Sequence, residues 1–329
     1  MLHYIVNVAV LQLTLSGFSI IMILSNFLSE DGAKMKQAHR FDPRQEMGRE
    51  DFELQYKRDT YLQDVELHHH DFFELYFLIA GDVTYTIESR QYHVMPGDLL
   101  LISPQELHQI CIRPEMSDYE RYVLWVDPML LHRISTPLSD LSMNLTPDSP
   151  RQGNLLRLKP EDASYVQKIF EQLWLESENE GYGSDLLRQS LLIQLLVSIN
   201  RLAAHPRAYM EEEAHSSRAV SSVIDYVNLH YSEPLSLDIL ADLVYVSKYH
   251  LSHEFNRQVG TSVYRYIQKK RLLIARQLLA QGVRPNDVYG KCGFSDYAGF
   301  YRAFRSEYAI SPREYVQSLR PQGMELEEA

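Results

Sequence analysis

The last third of this chain contains one short pattern twice, and this repeat constrains the fold more than any other feature. Ser247 and Ser295, which are 48 residues apart, each stand just before a helix-like run. Serine favours the position before a helix, and apolar residues four apart lie on one helix face. The repeat therefore predicts two short, capped amphipathic helices. Their apolar positions are Leu251, Phe255, Phe300 and Phe304.

The residues before the first capped helix indicate a helix-turn-helix. An amphipathic helix at residues 220–231 precedes a shorter one at residues 237–241, and a turn follows at residues 244–246. Ala241 is small where two helices must approach closely, and Gly260 ends the helix that Ser247 begins. A short helix, a tight turn and a capped helix form this motif.

The same unit recurs after a long helix predicted at residues 262–281. Residues 287–291 form a short helix, Gly293 gives the turn, and Ser295 or Asp296 caps the following helix. The sequence therefore predicts two helix-turn-helix units joined by one helix.

Charge is unevenly distributed. The 329 residues carry a net charge of −12, and 45% of them are hydrophobic, so the chain can bury substantial cores. Residues 216–320 contain 14 Lys and Arg against 9 Asp and Glu, a net charge of +5, which leaves −17 on the rest. A basic module on an acidic body indicates that one part binds nucleic acid. The only cysteines, Cys111 and Cys292, exclude a disulfide framework.

In this region the chain resembles the AraC/XylS family of bacterial regulators. The matching stretches are residues 235–279, LSLDILADLVYVSKYHLSHEFNRQVGTSVYRYIQKKRLLIARQLL, and residues 292–315, CGFSDYAGFYRAFRSEYAISPREY. The chain departs from the family pattern at Tyr245 and Ala309, where glycine is frequent, and at residues 288–289, where Ile-Ala is common. These departures affect local turn geometry.

The resemblance places base contacts at the early and middle positions of each capped helix. Base edges in the major groove are read by polar side chains, whereas basic side chains on phosphates position the protein. We expect Lys248, Arg257 and Arg305 to contact phosphates. The full set expected to contact DNA is Lys248, Tyr249, Ser252, His253, Asn256, Arg257, Tyr297, Tyr301, Arg302 and Arg305.

The N-terminal half changes from strand patterns to helix patterns. Residues 52–126 are short apolar runs broken by turns, as in a sandwich or barrel. A loop is predicted at residues 137–150, and a polar linker at residues 211–213. Between them, two apolar stripes at helical spacing predict two helices. The stripes are Val166, Ile169, Phe170, Leu173 and Trp174, then Leu192, Leu195, Leu196, Ile199 and Leu202.

Leu191 and Ile193 widen the apolar surface of the second of these helices. This helix therefore packs on two sides, and its second side faces either a partner subunit or the same chain.

Residues 68–81, HHHDFFELYFLIAG, match the first cupin motif in part. His68 and His70 face the same way on a strand, and with Glu74 and His108 they could hold a first-row metal. That would make the chain a metal-dependent oxygenase or isomerase fused to DNA-binding helices. The second cupin motif, however, lacks its usual glycine after Pro104.

Sensor domains of the AraC type keep this histidine pattern, mostly as a fold signature without catalysis. We therefore expect no enzyme activity, no cofactor and less than one metal ion per chain. His68, His70, Glu74 and His108 are taken as the candidate lining of an effector pocket at the mouth of a small barrel.

The first 34 residues differ from the rest. Residues 4–28 carry no charge, and a membrane span needs about 20 residues. No Lys or Arg precedes them, so the basic region of a signal peptide is missing. We predict that translation starts at Met35 and that residues 1–34 are an upstream mistranslation or a hydrophobic leader. A membrane-anchored regulator is the alternative.

The sequence thus predicts an α+β multidomain protein of the cytoplasm. A cupin-like β-barrel at residues 35–150 binds the effector, residues 151–215 form a helical dimerisation segment and linker, and residues 216–320 form an all-α domain with two helix-turn-helix units. Residues 321–329 are a tail. The resemblance implies four partners: an operator in double-stranded DNA, a small-molecule effector such as a sugar, a second copy in a homodimer, and RNA polymerase for an activator.

Overall fold

The computed structural model describes residues 45–48, 51–59, 65–104, 106–112, 118–146, 153–204 and 217–319. These belong to one compact unit that begins at Arg40. The predictions for residues 1–34, for the linker at 211–213 and for the tail lie outside the described residues.

The strands of the described N-terminal part form two antiparallel sheets. One has five strands in the order β1-β7-β2-β5-β8, and the other has three in the order β4-β3-β6. The strands are β1 (Phe52–Asp59), β2 (Phe73–Ala80), β3 (Val83–Ile87), β4 (Arg90–Val94), β5 (Asp98–Ile102), β6 (His108–Ile112), β7 (Tyr119–Val126) and β8 (Leu155–Arg157).

The expected closed barrel is wrong, because among the described residues the two sheets stay separate. Strand β6 meets the segment before β2 at a single bridge, in which His68 and His108 exchange backbone hydrogen bonds of 3.0 and 2.9 Å. One bridge does not extend a ladder, so the smaller sheet keeps an edge at β6.

The five-stranded sheet is buried on both faces. From β2, Leu75 and Phe77 join one apolar core, while Tyr76 and Leu78 join a second core shared with the three-stranded sheet. This burial explains why β2, FELYFLIA, is almost continuously apolar.

Three helices pack beside or against this sheet. They are α1 (Pro128–Ile134), α2 (Pro160–Ser177) and α3 (Ser184–Ala203). Both predicted apolar stripes are confirmed, since their members lie in or against the core under the sheet. Leu191 and Ile193 also pack against this core, so the same chain covers at least part of the second side of α3. None of the helices in the described ranges is long and apolar enough to cross a membrane.

The helical domain follows the predicted order. Ser247 caps α6 by accepting from the His250 N–H at 3.2 Å, and Asp296 rather than Ser295 caps α9, accepting from the Gly299 N–H at 2.7 Å. The helices are α4 (Arg218–His230), α5 (Leu237–Leu243), α6 (Lys248–Val259), α7 (Val263–Ala280), α8 (Pro285–Lys291), α9 (Tyr297–Tyr308) and α10 (Pro312–Ser318).

Helix α7 belongs to the cores of both helix-turn-helix units. Its first half contributes Tyr266 and Ile267 to the core around Phe255, and its second half contributes Leu272 and Leu279 to the core around Phe300 and Phe304. One continuous helix therefore fixes the two units relative to each other.

Tyr245 and Ala309, the two departures from glycine, both have left-handed backbone, with φ of 56° and 62°. The Tyr245 side chain is 95% exposed, so its loss removes little packing. A left-handed conformation costs an L-residue roughly 1–2 kcal/mol, which exceeds the extra unfolded-state entropy of glycine.

We expect Tyr245→Gly and Ala309→Gly each to raise the free energy of unfolding by about 0.5–1 kcal/mol, measured by urea denaturation. As a control, Ser306→Gly changes an exposed residue inside α9 and should lower stability by about 0.5 kcal/mol. Lower stability in both left-handed variants would contradict the strain argument.

Candidate DNA-binding face and histidine cluster

Helix α6 presents its predicted DNA-contacting residues to solvent. Leu251 and Phe255 are buried on the opposite face, and Tyr249 is 82% exposed. This separation leaves a continuous polar surface for a ligand. Its exposed members are Lys248, Tyr249, Ser252, His253, Asn256 and Arg257.

Two basic side chains on α6 have carboxylate partners within the domain. Lys248 Nζ lies 2.8 Å from Asp238 Oδ1, and Arg257 donates to both carboxylate oxygens of Glu254 at 3.2 and 2.8 Å. The hydrogen bond and charge of Arg257 lower the pKa of the Glu254 carboxyl. A DNA phosphate would therefore compete with these carboxylates for exposed cations.

Helix α9 offers a smaller polar face. Arg302 and Arg305 are exposed, whereas Tyr301 is half-buried. The Tyr297 ring centroid lies 5.9 Å from that of Phe300 and 6.2 Å from that of Tyr289, so Tyr297 packs in an aromatic group. Tyr297, expected to contact a base, thus also supports the core of the second unit.

The four residues of the cupin-like motif lie together between the two sheets. His68 and His70 precede β2, Glu74 lies on β2, and His108 begins β6. The ring centroid of His108 is 4.2 Å from that of His68 and 4.8 Å from that of His70. These four residues, the histidine cluster below, are each at most 4% exposed. A sugar-sized effector cannot reach them in this conformation.

Backbone carbonyls orient all three imidazoles. The Nδ1 atoms of His68, His70 and His108 lie 2.9, 2.9 and 2.8 Å from the carbonyls of Glu66, Phe72 and Glu106 respectively. A carbonyl oxygen only accepts, so each Nδ1 carries the proton and the neutral ring keeps a lone pair on Nε2.

Burial favours the neutral form of two of these histidines, His68 and His108. It lowers the pKa of His108 to about 4 and that of His68 well below its usual value. The Glu74 carboxylate lies beside them, with its Oε2 atom 3.4 Å from His70 Nε2. Glu74 also accepts from Trp125 Nε1 at 2.9 Å.

The N-terminal domain packs apolar residues against the first helix-turn-helix unit, which the sequence did not indicate. Leu67 and Leu107 are buried in the same core as Phe255 and Tyr266. Each leucine directly precedes a histidine of the cluster. Neither leucine lies in a periodic pattern, so no local signal distinguishes it from a core residue of its own domain.

Polar contacts complete this interface at the β3–β4 turn. The Glu88 carboxylate accepts from the Tyr266 hydroxyl and from Lys270 Nζ at 3.4 Å. Gln258 lies at the end of α6, and its side-chain Nε2 donates to the Ser89 backbone carbonyl at 2.9 Å. The backbone carbonyl of Gln258 accepts from Gln91 Nε2 at 2.9 Å. The N-terminal domain therefore contacts the C-terminal end of α6.

Comparison with known proteins finds two family models along the chain. A model described as an AraC-like ligand binding domain matches residues 51–196, and one described as a helix-turn-helix domain matches residues 240–318. The chain is 26% identical to the uncharacterized HTH-type transcriptional regulator YbfI of Bacillus subtilis over 241 residues, 73% of this chain and 83% of YbfI.

Similarity extends to a regulator whose name states its role. The HTH-type transcriptional activator RhaS of Escherichia coli is 23% identical over 262 residues, 77% of this chain and 88% of RhaS. Among solved structures, ToxT from Vibrio cholerae aligns with 83% of this chain and 99% of its own at 13% identity, with a TM-score of 0.35.

Proposed function

Because the chain belongs to the AraC family of transcriptional regulators, with a ligand-binding domain and a helix-turn-helix DNA-binding domain, we propose that it reads its operator with both α6 and α9. The observation that carries this proposal is the pair of exposed polar helix faces on units that share α7.

The dimensions of the domain support contact with adjacent groove segments. Helix α7 has 18 residues, which is about 27 Å at 1.5 Å per residue. Successive major-groove segments on one side of DNA lie about 34 Å apart. Each unit can therefore place its second helix in its own segment.

The predicted residues take two roles in this proposal. The side chains that reach base edges are those of Tyr249, Ser252, His253, Tyr297, Tyr301 and Arg302. Lys248, Arg257 and Arg305 bind phosphates. Lys248 and Arg257 first release the carboxylates of Asp238 and Glu254.

The finer features remain part of the proposal. The protein acts in the cytoplasm as a homodimer, uses α2 and α3 for assembly, and contacts RNA polymerase if it activates transcription. A sugar effector, as the family resemblance implies, would need a site outside the histidine cluster or an opening of that cluster. The relatives are described as regulators, which fits a protein without enzymatic activity.

Footprinting tests the two-segment contact. The full chain is used to select DNA from genomic fragments, and hydroxyl-radical footprints of the selected site should show two adjacent protected major-groove segments per subunit. We expect Ser252→Glu on α6 and Ala298→Glu on α9 each to weaken binding at least ten-fold, about 1.4 kcal/mol, because a carboxylate meets the DNA backbone.

Ser139→Glu is the matched control, since it adds the same charge at an exposed position after α1, outside the helices proposed for DNA contact and for assembly. It should bind as the wild type does. Unchanged affinity for Ala298→Glu, together with one protected segment per subunit, would refute the role of the second unit.

A further inference from the structure

Two buried nitrogen atoms in the histidine cluster have no hydrogen-bond partner. They are Nε2 of His70 and Nε2 of His108. One ligand atom each from His70, Glu74 and His108 lies within 4.8 Å of the others. An unsatisfied buried polar atom costs about 1–3 kcal/mol, so two beside a buried carboxylate are best explained by a further group that binds all three.

The donor set indicates the chemistry of that group. Two imidazoles and one carboxylate suit a first-row divalent metal. Histidines that bind metals usually donate their other ring N–H to a carbonyl or carboxylate, as the Nδ1 atoms of His70 and His108 do here.

In place of the sequence-based expectation of less than one metal ion per chain, we propose that His70, Glu74 and His108 bind one first-row divalent metal ion. We further propose that residues 66–71 transmit its binding to the DNA-binding domain. The transmission rests on the DNA binding proposed above, whereas the metal site does not.

The geometry supplies a movement on binding. Metal–ligand bonds are about 2.0–2.2 Å long, so ligand atoms as far apart as 4.8 Å must move inward around an ion. An inward movement of His70 and His108 also moves the backbone of residues 66–71 and of the start of β6.

The opposite side of the same backbone contacts the DNA-binding domain. Side chains alternate along extended chain, and while His68 and His70 face the cluster, His69 Nε2 lies 3.2 Å from the Tyr308 hydroxyl on α9. Leu67 packs in the core of the first unit, and Asp71 pairs with Arg276 on α7. An inward shift at the cluster therefore alters contacts with both units.

A proton is the competing occupant. If His70 were protonated on both nitrogens, it would form an ion pair with Glu74, whose Oε2 lies 3.4 Å from His70 Nε2. That pair would leave His108 Nε2 without a partner and would exclude a metal from His70. Metal stoichiometry separates the two.

The first test measures metal binding without DNA. The full chain is stripped with a chelator, incubated with Zn²⁺ or Co²⁺, desalted and analysed for metal, with visible d–d absorption reporting Co²⁺ coordination. We expect one ion per chain and an affinity at least ten-fold weaker in Glu74→Gln. This variant keeps an oxygen for Trp125, and its urea-unfolding midpoint without metal checks its fold.

His93→Ala is the control, because His93 is a surface histidine paired with Asp82 at 2.7 Å outside the cluster. It should bind metal as the wild type does. A wild type that holds well under one ion per chain, or a folded Glu74→Gln that binds as tightly, overturns the metal site and favours the ion pair.

The second test measures DNA affinity with and without Zn²⁺. We expect the loaded protein to bind its selected site about five-fold more tightly or better, because an ordered interface leaves less freedom to lose on binding DNA. Tyr308→Phe should keep one ion per chain but reduce this difference.

Equal DNA affinity of loaded and metal-free protein overturns the transmission, even if the ion binds. Failure of both forms to bind any selected DNA would instead refute the proposed function. The metal measurement is made without DNA and is decided separately.

Discussion

Removing the carboxylate of Glu307 is expected to lower the free energy of unfolding by about 3 kcal/mol. Lys269 on α7 pairs with Glu307 on α9, and their side chains are 5% and 22% exposed. Loss of the glutamate leaves a nearly buried ammonium group without a partner. Measurements of buried pairs place the cost of removing one member at about 3–5 kcal/mol, and the partial exposure of Glu307 argues for the lower end.

The cause can be isolated by removing the charge as well. Lys269→Met together with Glu307→Ala should recover most of the lost stability, because a methionine of similar length needs no counter-charge. Glu233→Ala, which breaks the more exposed pair with His230, should cost less than about 1 kcal/mol. All four proteins are compared by urea denaturation. A double variant no more stable than Glu307→Ala would show that the unpaired lysine is not the cause.

This pair has a functional consequence as well. Helix α7 carries the core of both units, and the contact between Lys269 and Glu307 fixes the second recognition helix on it. In the proposed complex with DNA, the spacing of α6 and α9 would therefore depend in part on this contact.

The helical domain was predictable because its signals are local. The cap at Ser247 and the apolar pair Leu251 and Phe255 each act within one or two turns of helix, so their spacing alone predicts the element. The short helix α10 was not predicted, although Ser311 and Glu314 form a capping box at its start.

In the N-terminal domain the sequence predicts the strands but not how the sheets pair. Strand patterns predicted many short strands, but whether sheets close depends on pairing between distant residues. A closed barrel requires a continuous ladder of backbone hydrogen bonds between the two sheets. His68 and His108, which are 40 positions apart, form only a single bridge. The spacing of the cluster residues was likewise visible in the sequence, whereas their burial and the unpartnered nitrogen of His108 depend on tertiary packing.

Contacts between the domains had no sequence signal. Glu88 lies in a turn where a charged residue is ordinarily solvated, yet it accepts from Tyr266 and Lys270 of α7. Tyr297 is a converse case, since its polar group suggested base contact while its ring packs with Phe300. A residue type fixes what a side chain can bind, and the surrounding fold determines which partner it meets.

The largest change in sequence recognition is expected from Arg302. Its side chain is exposed on α9, and a guanidinium can donate two hydrogen bonds to the O6 and N7 atoms of guanine. Such a pair contributes about 1–3 kcal/mol of discrimination, which is roughly a 5- to 150-fold preference for the correct base. Arg302→Ala should therefore relax specificity at one or two positions in the part of the site that α9 contacts.

Arg305 provides a matched comparison on the same helix. It is exposed one turn later, and we propose that it contacts phosphate. Arg305→Ala should then weaken all sequences alike and reduce the slope of log affinity against log salt by about one unit. Arg302→Lys keeps the charge but not the paired donors, so it should also lose discrimination while affinity for substituted sites is largely retained. Binding to a panel of operators with single-base substitutions, at several salt concentrations, measures both effects. If Arg302→Ala lowers affinity by the same factor for every operator in the panel, Arg302 contacts the backbone and not a base.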